Sequence, residues 1–150
     1  MSRAFIKEDA GDDELPERTP PSGPNYVTPR GLDQLRAKVQ ALQSKGDLSK
    51  EERRDLRYWQ ARLGGAILVD NSKKPPPDVR FGATVELRAA DGKARRLRIV
   101  GQDEAAEGGE SASWDSLEAR AVIGLKAGEK ASWSEGAGDL EFVVASVSYS

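Results

Sequence analysis

The side chains available for chemistry in this 150-residue chain are few in kind. It contains neither cysteine nor histidine. Thiolate and imidazole zinc sites, a nucleophile paired with an imidazole base, and a disulfide framework are therefore excluded. Carboxylates, ammonium and guanidinium groups and hydroxyls remain. Four carboxylates, Asp47, Glu51, Glu52 and Asp55, fall close together. Oxygen ligands of that kind suit a hard cation such as magnesium. The same acids also lie at the start of an expected helix, where carboxylates offset the macrodipole and satisfy free N–H groups. Glu52 stands three residues after Ser49 in an S-x-x-E capping-box pattern and is best read that way. For Asp47 and Glu51 both readings stay open.

Cations concentrate in the same stretch. Residues 30–62 hold nine basic and five acidic groups, against three and six in residues 1–29 and nine and twelve in residues 79–150. A segment carrying +4 within a chain of net charge −2 suggests a local contact with an acidic surface or with RNA phosphates, rather than coating of bulk nucleic acid. Arg36, Lys38, Lys45, Arg53, Arg54, Arg57 and Arg62 form this basic face. The alternative is a solvated face, since several of these residues can pair with Asp33, Glu51 or Asp55 at helical spacing. Tyr58 and Trp59 are expected to pack rather than to stack on bases.

These groups need elements to hold them. Residues 1–27 read as a flexible leader, because residues 8–25 interleave Glu8, Asp9, Asp12, Asp13, Glu14 and Glu17 with four prolines and hold little that is apolar besides Leu15. Thr28-Pro29 supplies an N-cap and a first-turn proline, so a helix starts there. Its apolar residues Leu32, Leu35, Val39 and Leu42 form one seam. A second helix begins near Lys50, with Leu56, Trp59, Leu63 and Ala66 as its seam, and the two predict a short antiparallel hairpin over 28–70. Its length is roughly 20 Å at 1.5 Å per residue. Residues 66–70 read as a short buried strand, and the Lys73 to Pro77 run as a stiff linker over 71–78.

Beyond it, residues 79–150 change character. Phe81–Leu87, Ala94–Val100, Lys130–Trp133 and Leu140–Tyr149 read as strands, with turns at Asp91-Gly92 and at Gly136–Gly138, and Ser116–Ile123 as one short helix. The fold class is therefore α+β: a helical hairpin followed by an antiparallel sheet packed on one helix. The chain has 32% charged residues, and no apolar run approaches the roughly 18 residues of a membrane span. Its first residues lack the apolar core of a secretory signal, so a cytoplasmic location is expected.

The C-terminal segments occur in an order that resembles the GreA/GreB family of bacterial transcription elongation factors. Phe81-Gly-Ala-Thr-Val85 is similar to the family's FGATV strand, Leu97 to Ala105 to its YRIVGxDEA segment, and Ser116 to Gly124 to its SPxARALLG helix. Lys126 to Glu129 and Leu140 to Val144 follow in the same order. The match covers about half the chain, and the combination of IVGxDEA with the S-x-x-AR-A-x-x-G helix is its most specific part. Thr28-x-x-Gly31-x-x-x-Leu35 is similar to the start of the family's first helix. Leu117 and Glu118 depart from the usual proline and apolar residue, and the hairpin is much shorter than the family's.

The resemblance implies an FKBP-like C-terminal domain without isomerase activity, and a protein that is not itself an enzyme. Its partner would be bacterial RNA polymerase, with nascent RNA and DNA met only inside the elongation complex, no membrane partner, and a monomeric state. In the family the hairpin enters the polymerase's secondary channel, and its acidic tip helps to hold a magnesium ion with which the polymerase cleaves backtracked RNA. Gly46-Asp47-Leu48 reproduces the tip's GDL. Lys50 occupies the position of the family's second acid, and Glu51 comes one place later. Asp47 and Glu51 are thus the carboxylates that would contact the polymerase's own magnesium, and no intrinsic cofactor is implied. Asp103, Glu104, Ser116 and Arg120 are the docking candidates in the C-terminal domain. The expected function is regulation of elongation by docking and insertion of a short arm. The alternatives are full stimulation of RNA cleavage and an FKBP-like peptide-binding module.

Overall fold

A computed structural model describes residues 15–136 and 138–150. The acids at positions 8–14 of the expected leader lie outside the described residues. The fold is α+β, with a curled, mostly antiparallel sheet. The described residues divide into two compact units, one made of residues 15–24 and 32–66, the other of residues 25–31, 67–136 and 138–150.

The first unit is built on two fifteen-residue helices, α1 (Pro29–Gln43) and α2 (Lys50–Gly64), the first turn of α1 belonging to the other unit. Both start where their capping signals place them. At α2, Ser49 accepts from the Glu52 N–H at 3.1 Å while the Glu52 carboxylate accepts from the Ser49 N–H at 2.9 Å, a complete capping box. On α1 the expected seam is buried at Leu35 and Val39. On α2 the buried residues are Tyr58 and Arg62, whereas Leu56, Trp59 and Leu63 are half-buried. The expected seam is thus offset by one residue, which turns the packed face by roughly 100°. Cations explain why Trp59 stays partly open: the Lys38 ammonium lies 4.5 Å from its ring and the Arg18 guanidinium 5.2 Å.

Arg18 also corrects the reading of the leader as wholly flexible. Its guanidinium sits 3.9 Å from the centre of the Tyr58 ring and bonds Asp55 at 3.1 Å, while Glu17 pairs with Arg57. Two oppositely charged neighbours in the leader meet two oppositely charged residues on α2. Composition alone does not register that complementarity.

The second unit opens with a two-stranded ribbon, β1 (Asn25–Val27) against β2 (Ala66–Leu68). Residues 25–27, assigned to the leader from sequence, are therefore structured. The strand expected at 66–70 forms but is not buried, since Ile67 and Leu68 are 46% and 53% exposed. Nor do the units divide at the expected linker 71–78: the Val69 N–H bonds the Val27 carbonyl, and Asn71 donates to the Phe81 carbonyl at 2.8 Å.

Five strands make the main sheet: β3 (Ala83–Ala89), β4 (Ala94–Val100), β5 (Ser111–Ser113), β6 (Lys130–Glu135) and β7 (Gly138–Tyr149), ordered β5-β4-β3-β7-β6. Four pair antiparallel as expected, with Asp91-Gly92 turning β3 into β4 and Gly92 at φ 87°, a conformation that favours glycine. The fifth, β5, pairs parallel to β4, so the sheet is not wholly antiparallel. Alternation along β3 sends Ala83, Val85 and Leu87 inward, where they join Leu97, Ile99, Trp133, Phe142 and Val144. Helix α4 (Leu117–Val122) adds Ala119 and Val122 to this core, and Ser116 caps it by accepting from the Ala119 N–H. A further one-turn helix, α3 (Gln102–Ala105), follows β4 and has no counterpart in the sequence reading.

Candidate functional site

The loop between α1 and α2, residues 44–49, presents the candidate tip. Asp47 is exposed in that loop, and Glu51 is exposed on the first turn of α2. Neither is held by an ion pair or hydrogen bond among the described residues. Glu52 is consumed by the capping box and by Lys45, and Asp55 by Arg18 and by Arg54 at 3.7 Å. Two of the four clustered acids are therefore structural and two face solvent. Among the described residues no group of three or more carboxylates is placed to hold a metal ion by itself. A cation at the tip would need ligands from elsewhere, because hard cations take six or more oxygens and Asp47 and Glu51 supply only part of that set.

The basic face is more occupied than the sequence suggests. Lys38 lies over Trp59, Lys45 pairs with Glu52, and Arg36 lies 3.7 Å from Asp33. Arg53 donates to the Leu48 carbonyl at 2.8 Å, Arg57 meets Glu17, and Arg62 is buried. Much of this basic face is thus made of side chains already engaged within the chain, as the pairing reading of the face allows. The partners are carboxylates and aromatic faces that helical spacing and the leader bring within reach.

In the second unit the docking candidates separate into buried and exposed groups. Glu104 is buried, accepts from the Thr28 hydroxyl at 2.6 Å and lies 3.6 Å from the Arg98 guanidinium. Thr28 in turn accepts from the Gly31 N–H at 2.9 Å, as an N-cap of α1 should. A Cβ at Gly31 would lie 2.9 Å from the Glu104 carboxylate, and a Cβ at Gly101 would lie 2.4 Å from the Tyr26 carbonyl oxygen. The T-x-x-G and VGxDE motifs, whose Thr28 and Glu104 lie 76 residues apart in sequence, therefore meet at one joint. Its glycines are required by close approach, and Glu104 is a clamp rather than a docking residue. Ser116 is likewise spent as the cap of α4.

What α4 offers to solvent is Arg120 flanked by two exposed apolar residues, Leu117 at 58% and Ile123 at 40%. Beside them Asp115 is fixed by Gln102 at 3.0 Å and by Ser113. Burial pushes the Asp115 carboxyl up, but the hydrogen bonds from Ser113 and Gln102 outweigh it and hold the group below the usual carboxylate range. Asp103 is half-buried on α3 and makes its own polar contacts. The apolar neighbours of Arg120 are the part of this surface that motif matching missed. Their exposed positions on a short amphipathic helix were the available signal.

The family model described as "Transcription elongation factor, GreA/GreB, C-term" matches residues 74–149. A transcription elongation factor GreB of Neisseria meningitidis serogroup A is 30% identical over 153 residues, covering 83% of this chain and 94% of that protein. A GreB of Xanthomonas axonopodis pv. citri is 39% identical over 106 residues, covering 70% of this chain and 62% of its own length. Among solved structures, a prokaryotic transcription elongation factor GreA/GreB from Nitrosomonas europaea is similar at 22% identity, covering 83% of this chain and 99% of that one with a TM-score of 0.46.

Proposed function

This chain belongs to the GreA/GreB family of transcription elongation factors, and we propose that it regulates elongation by binding bacterial RNA polymerase near the secondary channel. In this reading the second unit, FKBP-like as the family resemblance implies, docks on the polymerase. The two helices then act as a short antiparallel hairpin that enters the channel. The protein works as one copy per polymerase in the cytoplasm and is not itself a catalyst.

The observation that carries this reading is the exposed surface made by Leu117 and Arg120 of α4 with Ile123 at its C-cap. Two exposed large apolar residues, one on a helix fixed to the core by Ala119 and Val122 and one at its C-cap, together with Arg120 make a surface of the kind that marks a protein contact. The arm is correspondingly modest: fifteen residues per helix gives about 22 Å. Asp47 and Glu51 at its end favour a second reading, in which they supplement the polymerase's magnesium and stimulate cleavage, because both carboxylates are left uncommitted.

Polymerase stalled in a backtracked complex separates the two. Wild-type protein should co-migrate with core polymerase, and Leu117→Asp with Arg120→Glu should weaken that association by at least tenfold. Docking without cleavage leaves the RNA length unchanged. Shortening that is lost in Asp47→Asn would establish the second reading. Failure of the wild-type protein to associate at all would overturn both.

A further inference from the structure

The outward face of the main sheet carries a site unrelated to the tip or to α4. Three residues stand side by side across β3, β7 and β6: Arg88 pairs in register with Val143, and Val143 with Lys130. All three are exposed, Val143 at 39%. They line an open groove of about 470 Å³, within the range of ligand-binding clefts, together with Ala145, Glu141 and Phe142. The register skips at Ala145, since Glu86 faces Ser146 and Leu87 faces Val144. That bulge bends β7 and leaves only a methyl group at one end of the groove.

Charge makes the groove selective. Among the described residues neither the Arg88 nor the Lys130 side chain has an ion pair or hydrogen bond, in contrast to the engaged cations of the helical unit and to Arg95, Arg96 and Arg98 on the same sheet. Two interstrand spacings put their Cα atoms about 10 Å apart, with an aliphatic side chain between them. Glu141 lies on the wall without a described partner.

We propose that this groove binds an acidic peptide segment of a partner protein, one that presents an aliphatic side chain between two carboxylates. The aliphatic group rests on Val143 and Ala145, and the carboxylates reach Arg88 and Lys130. In an extended peptide, acids two residues to either side of the aliphatic residue are about 13 Å apart, within reach of the two long cationic side chains. A nucleic acid fits less well. The floor is aliphatic and offers no broad aromatic platform on which bases could stack.

The test is a titration of the ¹⁵N-labelled full chain with the unlabelled peptide Gly-Asp-Ser-Leu-Ser-Asp-Gly, followed by amide NMR shifts. Saturable shifts should centre on residues 88–90, 130 and 141–145. The peptide with both aspartates replaced by asparagine should bind at least tenfold more weakly, and so should the aspartate peptide to the Arg88→Gln, Lys130→Gln double variant. Val143→Asp should abolish the shifts. Equal binding of acid and amide peptides, an unchanged affinity in the double variant, or no shifts up to millimolar peptide would overturn the proposal. So would a single-stranded hexanucleotide binding the same residues more tightly than the peptide does.

Discussion

The two units are held together by different physics. In the second, thirteen buried apolar residues among those described form one cluster, and the joint between β1, the start of α1 and α3 relies on backbone approach so close that a methyl group would not fit. In the first, fewer of the described apolar residues are buried, namely Leu35, Val39 and Tyr58, and ion pairs and cation–π contacts near the surface add to them. Interdigitated packing is intolerant of volume change and indifferent to salt. Exposed charge pairs are each worth little and are screened. The motifs that identify the family lie in the intolerant unit, and the tip carboxylates Asp47 and Glu51 lie in the permissive one.

That contrast can be broken at its strongest point. Gly101→Ala forces a Cβ against the Tyr26 carbonyl and should cost about 3 kcal/mol, lowering the melting temperature by roughly 6–12 °C. A thermal melt showing no change would mean that the joint yields and that the two units do not differ in kind. Glu104→Ala should cost about 2 kcal/mol by stranding the Thr28 hydroxyl and Arg98. A double-mutant cycle with Thr28→Val should show coupling of about 1 kcal/mol, because the two side chains touch.

Changes in the helical unit should be gentler. Ser49→Ala removes half of the capping box and should cost about 1 kcal/mol, read by denaturant unfolding. Arg18→Gln should cost under about 1 kcal/mol and alter the fluorescence of Trp59; high salt should shrink the difference between variant and wild type. A loss of several kcal/mol there would show that the strap matters as much as the core does.

The smallest effect sharpens the comparison by pH. The Asp115 carboxyl is held below its ordinary value in the folded protein, so its contribution is present above the unfolded value of about 3.9 and is lost as pH falls through the lower folded one. Asp115→Asn should therefore flatten the stability profile below about pH 4 and leave acid unfolding otherwise unchanged. A profile equally steep in the variant would exclude Asp115 as a source of acid sensitivity.

Local chemistry was legible in the sequence where it acts alone. The caps at Thr28 and Ser49, the Asp91-Gly92 turn and the alternation along β3 each act within a few residues, and each element formed there. What escaped was held by distant partners. β1, α3 and β5 are three or four residues long and exist because tertiary contacts secure them, so propensity carried no signal. The leader read as disordered because composition cannot show that Glu17 and Arg18 find Arg57 and Asp55. At the candidate sites, exposure decided the outcome. Asp47, Glu51 and Arg120 stand exposed, while Glu104, Ser116 and most of the basic face are engaged within the chain.

The order of the chain through the joint has one more consequence. Residues 25–31 and 67–150 form one unit although the helical excursion lies between them, and the excursion leaves from and returns to paired strands, β1 and β2. The helices are thus an insertion with neighbouring ends, and closing such an excursion costs only a slowly rising entropy as it lengthens. Its length is free to change in whole turns without rewiring the host. β1 and β2 are therefore a graft point, at which arms of different reach can be exchanged on a constant base.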